Sequence, residues 1–142
     1  MTLSAAESCT AGLIADSIAR VPGASVVFWG SFVTYTPDAK SVMIGIDREL
    51  IKKHGSVSEA VALAMAKAAL EKSSSTFSLS VTGLAGPDGD GSEVPVGTIW
   101  VGIAGGNGNI FAKKFLFKGL RNEVREAAAA AALEELLAWI QL

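Results

Sequence analysis

The sequence predicts an α/β fold in which helices cover both faces of a mixed, mostly parallel sheet of about five strands. Three observations carry that prediction. Apolar stretches of strand length alternate with stretches whose apolar residues recur at helical spacing. Turn signals such as Val21-Pro22-Gly23 and Thr36-Pro37-Asp38 punctuate the alternation. The last two apolar runs are joined by Gly105-Gly106-Asn107-Gly108-Asn109, whose glycines and asparagines supply the positive φ of a hairpin loop, so those strands are expected to be antiparallel.

Taken in order, Met1 to Ala6 predicts a strand that starts abruptly, as though cut into. Glu7-Ser8-Cys9-Thr10-Ala11-Gly12 is a small-residue loop, and Leu13, Ile14, Ala15 and Ile18 then follow helical spacing up to Val21-Pro22-Gly23. Val26 to Tyr35 predicts a second strand. Thr36-Pro37-Asp38 starts a helix, because Thr caps, Pro fits the first helical position and Asp suits the positive end of the dipole. That helix ends near Gly45. A second runs from the Asp47 cap to Gly55, and a longer Ala-rich one from Ser58-Glu59 through Leu70. Phe77 to Thr82 predicts a strand, followed by a glycine-rich loop from Gly83 to Gly91. Strands over Val96 to Ala104 and Ile110 to Phe117 and a helix from Asn122 to Trp139 complete the chain, which has no internal linker or repeat.

Composition narrows the function. The 142 residues, 50% hydrophobic and 18% charged, suit one domain with its own core. A net charge of -2, with Lys and Arg scattered, lacks the basic face of a nucleic-acid binder. The Ala-rich tail is broken by Glu134 and Glu135, so no membrane span is expected, and no stretch reads as a secretory leader. One cysteine, Cys9, and one histidine, His54, exclude a disulfide framework and a Cys/His zinc cluster, and point to the cytoplasm. His54 follows Lys52-Lys53 and precedes Gly55, which reads as the cationic C-terminus of a helix. Acid–base chemistry is therefore expected to use Lys, Tyr or carboxylates.

Three features bear on chemistry. The loop with Ser8, Thr10 and Gly12 leads into a helix N-terminus, which suits either capping or an anion such as phosphate. The Gly83–Gly91 loop follows a strand, at the edge where α/β sheets bind ligands, or is only a flexible turn. Its Asp88, Asp90 and Glu93 lack the spacing of a calcium loop, so no metal site is expected. Tyr35 and Lys40 flank a helix start, where a cation is disfavoured and a neutral, basic amine results. Such a base suits a serine nucleophile, and Ser25 lies just before the strand that carries Tyr35. Residues alone favour a solvated Lys40 and a turn-capping Ser25.

Five segments in order extend the reading. Glu7-Ser8-Cys9-Thr10-Ala11-Gly12, Val21-Pro22-Gly23-Ala24-Ser25, Tyr35-Thr36-Pro37-Asp38-Ala39-Lys40, Val81-Thr82-Gly83-Leu84-Ala85-Gly86-Pro87 and Pro95-Val96-Gly97-Thr98 span nearly the whole chain. They resemble the ESCTGG, VPGSS, YSNxAK, VTGIAGP and PVGT motifs of the CinA C-terminal domain family. Ala11 replaces a glycine of the first motif, and Pro37 stands where asparagine is common. A helix that precedes the first motif in the family is missing here. The resemblance implies a three-layer α/β/α fold and a nicotinamide-nucleotide amidase, which converts nicotinamide mononucleotide to nicotinate mononucleotide and ammonia. It implies a serine nucleophile with Tyr and Lys, which falls on Ser25, Tyr35 and Lys40, and requires no cofactor.

On that reading, Ser25 attacks, with Ser8 as the other candidate nucleophile, Lys40 takes its proton and Tyr35 orients or relays the proton toward the leaving ammonia. Backbone N–H groups around Ser25 hold the oxyanion. Ser8, Thr10, Gly12, Gly83 and Gly86 hold the nucleotide, and Arg121 or Arg125 neutralises its phosphate. The alternatives are a nucleotide-binding regulatory domain without turnover and a hydrolase of another amide or phosphate ester. The Ala-rich last helix and Trp139 offer a surface for a homo-oligomer.

Overall fold

Strand β1 (Leu3–Glu7) pairs on both sides and anchors a five-stranded sheet of order β2-β1-β3-β4-β5. It runs parallel to β2 (Phe28–Val33) and to β3 (Phe77–Gly83), with Glu7 opposite Val33 and Val81. Strand β4 (Thr98–Gly105) is antiparallel to β3, and β5 (Ile110–Leu116) to β4. Four strands thus point one way and β4 alone is reversed. The fold comes from a computed structural model that describes residues 1–141.

Helices cover both faces. On one face lie α1 (Leu13–Ala19) and the long α5 (Arg121–Ile140), and between them and the sheet sit Ile14, Leu79, Val81, Val101, Val124 and Ala128. Ala128, Ala129 and Ala132 of α5 face this core, and the Trp139 ring packs edge-on against Phe77, with ring centroids 5.7 Å apart. Ala130, Leu137 and Ala138 of the same helix remain exposed. On the other face α4 (Glu59–Ser73) crosses β1, β3 and β4, flanked by α2 (Pro37–Ile44) and α3 (Arg48–His54).

The α4 interface is unusually close. Ser78 Oγ and Ser80 Oγ donate to the Ala66 and Ala62 carbonyls at 2.5 and 2.6 Å, and a Cβ on Gly102 would lie 2.5 Å from the Ala62 carbonyl oxygen. The period-two alternation of β3 explains this. Leu79 and Val81 face the α1/α5 core, while the small Ser78 and Ser80 let the helix approach on the other side.

Capping residues behave as their chemistry dictates. Thr36, Asp47 and Ser58 accept the amides of Ala39, Glu49 and Val61 at the starts of α2, α3 and α4. Lys52, Lys53 and His54 occupy the last turn of α3 before Gly55. Boundaries differ where backbone geometry intervenes. After Gly23 (φ 84°), residues Ala24–Val26 coil into a 3₁₀ turn, so β2 starts at Phe28 rather than Val26. Gly97 (φ 93°) delays β4 to Thr98. Glu7 belongs to β1 rather than to the loop after it.

Candidate active site

The parallel strands β1, β2 and β3 end side by side, and the segments that leave them enclose a cavity of about 390 Å³. This is the edge at which open α/β sheets receive ligands. Ser8 and Cys9 enter it from the β1 loop, Tyr35 and Lys40 from the start of α2, Thr82 to Gly86 from the end of β3, and Arg121 from the first turn of α5.

At its floor Lys40 Nζ donates to Ser8 Oγ at 2.8 Å and to the Thr34 carbonyl at 3.0 Å. Ser8 Oγ in turn donates to the Tyr35 carbonyl at 3.3 Å. Lys40 is 1% exposed, and no carboxylate pairs with it among the described residues. Burial pushes its amine down from 10.5 to about 8. The cause is desolvation rather than the helix N-terminus that the sequence reading invoked. The Cys9 thiol, also buried, is pushed up to about 11, so near neutral pH it carries no charge to hold the Lys40 proton. A buried amine that burial brings down to about 8, against a serine hydroxyl, can serve as a general base against a nucleophile once it has lost its proton.

Ser25 is not there. It lies exposed in the 3₁₀ turn that precedes β2, whereas Tyr35 and Lys40 follow the far end of that strand. A strand of six residues at about 3.3 Å per residue separates the two ends by more than about 15 Å. Proximity in sequence misled the pairing, because a β-strand carries the chain straight across the sheet.

Tyr35 lines the cavity, but the residue is 49% exposed and its hydroxyl accepts from Arg121 Nη2 at 2.6 Å. Its hydroxyl has no bond to Ser8 or Lys40 among the described residues, so the structure does not show the expected proton relay. Arg121 also donates to the Gly86 carbonyl. The alternative arginine, Arg125, is engaged elsewhere: it donates to the Cys9 and Thr10 carbonyls at 2.9 and 3.1 Å and ties α5 to the β1 loop.

The expected anion site at α1 is already filled. Thr10 is fully buried and donates to Glu7 Oε1 at 2.8 Å, and the Gly12 amide donates to the same oxygen at 3.2 Å. A carboxylate of the chain itself occupies the place proposed for a phosphate, so neither residue faces the cavity. Gly83 and Gly86 do line it. A Cβ on Gly83 would meet Ile99 and lie 2.7 Å from the Thr98 carbonyl oxygen, so the wall is thin there because β4 presses against it.

Several lining residues escaped the sequence reading. Thr82 Oγ1 donates to the Ser56 carbonyl at 2.7 Å and so fixes the turn before α4, which brings Ser56 and Val57 to the cavity. Thr82 stands in one of the recognised segments, but nothing local marks Ser56. Asp88 and Asp90 also line the cavity. Among the described residues no three His, Cys, Asp or Glu side chains gather as a metal site would require.

A sequence model of the CinA C-terminal domain matches residues 1–140. The chain belongs to this family. Nicotinamide-nucleotide amidohydrolase PncC of Escherichia coli K12 is a relative, 42% identical over 135 residues that cover 95% of this chain and 82% of PncC. A competence-damage inducible protein of Symbiobacterium thermophilum is 47% identical over 141 residues, and there the chain spans 33% of the relative's length. The crystal structure of competence/damage inducible protein CihA from Agrobacterium tumefaciens superposes with a TM-score of 0.93 at 42% identity, covering 97% of this chain and 84% of CihA. An Escherichia coli CinA superfamily structure gives the same TM-score at 31% identity, covering 96% of this chain and 79% of the other. The α/β fold is that of the CinA superfamily.

Proposed function

We propose that this CinA domain is a serine amidohydrolase that converts nicotinamide mononucleotide to nicotinate mononucleotide and ammonia, with Ser8 as nucleophile and Lys40 as base. The 2.8 Å contact between Lys40 Nζ and Ser8 Oγ carries the reading. The name of the Escherichia coli relative supports the substrate.

The uncharged Lys40 amine accepts the Ser8 hydroxyl proton as Oγ bonds to the carboxamide carbon. Charge develops on the carboxamide oxygen, and the Cys9 amide, next after the nucleophile, is assigned as its donor. The protonated Lys40 hands its proton to the nitrogen, the carbon–nitrogen bond breaks and ammonia leaves an ester on Ser8. Water, deprotonated by Lys40, then attacks the ester and releases the acid. Arg121, fixed by the Gly86 carbonyl and the Tyr35 hydroxyl, keeps further N–H donors for the phosphate. Asp88 and Asp90 suit the positive charge of the pyridinium ring. The domain would then serve pyridine-nucleotide salvage in the cytoplasm.

Incubation with nicotinamide mononucleotide, followed by assay of ammonia and the acid product, tests the proposal. Turnover that disappears in Ser8→Ala and survives in Ser25→Ala is the expected result. Binding without release of ammonia by the unaltered protein overturns it.

A further inference from the structure

Glu7 is fully buried beside Ser8, yet the reaction as drawn gives it no task. Five donors converge on its carboxylate. Oε1 accepts from Thr10 Oγ1, the Gly12 amide and the Ile14 amide at 2.8, 3.2 and 2.9 Å. Oε2 accepts from the Ala15 amide at 3.2 Å and from Ser31 Oγ at 2.7 Å. Three of these donors are amides at the start of α1, which have no partners within the helix. Its backbone carbonyl accepts the Thr34 amide at 2.8 Å.

These bonds fasten two separate segments. One is the turn Ser8–Gly12, which carries Ser8 and in which Ala11 holds a φ of 49°, a strained conformation for a residue with a Cβ. The other is the end of β2 with Thr34 just beyond it, and the Thr34 carbonyl accepts Lys40 Nζ. We infer that Glu7 is a positioning residue that holds Ser8 and the Lys40 amine in register by fastening the Ser8–Gly12 turn to α1 and to β2. The inference rests on the Ser8–Lys40 reading above and extends it to a residue outside the cavity.

Glu7→Gln keeps shape and volume but must present an NH₂ group to one set of donors, so the Ala15 amide on the Oε2 side is left facing another donor. Ser31→Ala removes one bond and leaves the carboxylate in place. The test measures two quantities per folded molecule, well below each variant's melting temperature. The first is kcat and KM with nicotinamide mononucleotide. The second is the rate at which a fluorophosphonate labels Ser8, read by mass spectrometry, in which Oγ bonds to phosphorus, fluoride leaves and the proton passes to Lys40.

A small displacement of a reacting group lowers the rate by on the order of tenfold to a hundredfold, so Glu7→Gln is expected to lose that much in both kcat and labelling with KM nearly unchanged. Ser31→Ala is expected to lose about two- to fivefold on the same grounds. If Glu7→Gln melts earlier but labels and turns over at the unaltered rate, Glu7 only supports the fold and the inference is overturned. Where Glu7→Gln does not fold, an unaltered rate in Ser31→Ala overturns it. Labelling without turnover in the unaltered protein removes the substrate and leaves the Glu7 comparison intact. An unaltered protein that shows neither overturns both.

Discussion

Lys40 sets a conflict between stability and chemistry within a single side chain. Its amine titrates near 8 in the fold against 10.5 when free, so between those values the unfolded chain binds more protons than the folded one. Stability therefore rises with pH across that window, and below about 8 the buried cation costs stability in full. The drop from 10.5 to about 8 corresponds to about 3–4 kcal/mol at most. Lys40→Met, which keeps the volume and removes the charge, is expected to raise stability at pH 7 by about 1–3 kcal/mol. The gain should shrink toward pH 10.5. Urea denaturation at pH 7 and 10 checks the sign, and the same variant should be inactive. Turnover by the unaltered protein should climb with pH through about 8 as the base becomes neutral. Cys9, held near 11 by burial, should resist iodoacetamide at pH 7 while the protein is folded, and mass spectrometry reads the modified fraction directly.

Single elements show what local patterns reveal and what they hide. Thr36-Pro37-Asp38 announced α2 because cap, proline and dipole act within one turn, and the Gly/Asn loop announced the β4–β5 hairpin for the same local reason. The Ser8–Lys40 contact joins residues 32 apart, and it exists only because β1 and β2 lie in parallel register. No periodicity encodes that. Glu7 was hidden likewise, since Ser31 reaches it from the neighbouring strand. The α4 interface adds a case in which the signal was the absence of side chains. Small residues of β3 and β4 admit α4 so closely that Gly102→Ala forces a Cβ against the Ala62 carbonyl and Ser80 Oγ. That variant is expected to lose about 1–3 kcal/mol in chemical denaturation. Gly106→Ala, whose Cβ would meet only the Thr76 carbonyl oxygen at 3.5 Å, should change little.

At the scale of the whole molecule, the cavity is where distant parts of the chain meet. The β1 loop, the start of α2, the end of β3 and the first turn of α5 all line it, and Arg125 binds α5 to the Cys9 carbonyl across 116 positions. A ligand seated there touches segments that separate when the chain unfolds, so it binds the folded state alone and stabilises the entire domain. For a ligand at a hundred times its dissociation constant the gain is about 2.7 kcal/mol. A chain of 142 residues unfolds with an entropy near 0.3 kcal/mol/K at roughly 2 cal/mol/K per residue, so the melting temperature should rise by about 9 °C. Ser8→Ala allows this to be measured with nicotinamide mononucleotide itself, since the substrate persists. Arg121→Ala in the same background should lose most of the shift, because its guanidinium is the cation assigned to the phosphate. Nicotinamide riboside, which lacks the phosphate, should give a smaller shift that the loss of Arg121 leaves nearly unchanged. Equal shifts for nucleotide and nucleoside would place the phosphate away from Arg121, while no shift with either would remove pyridine nucleotides from this cavity.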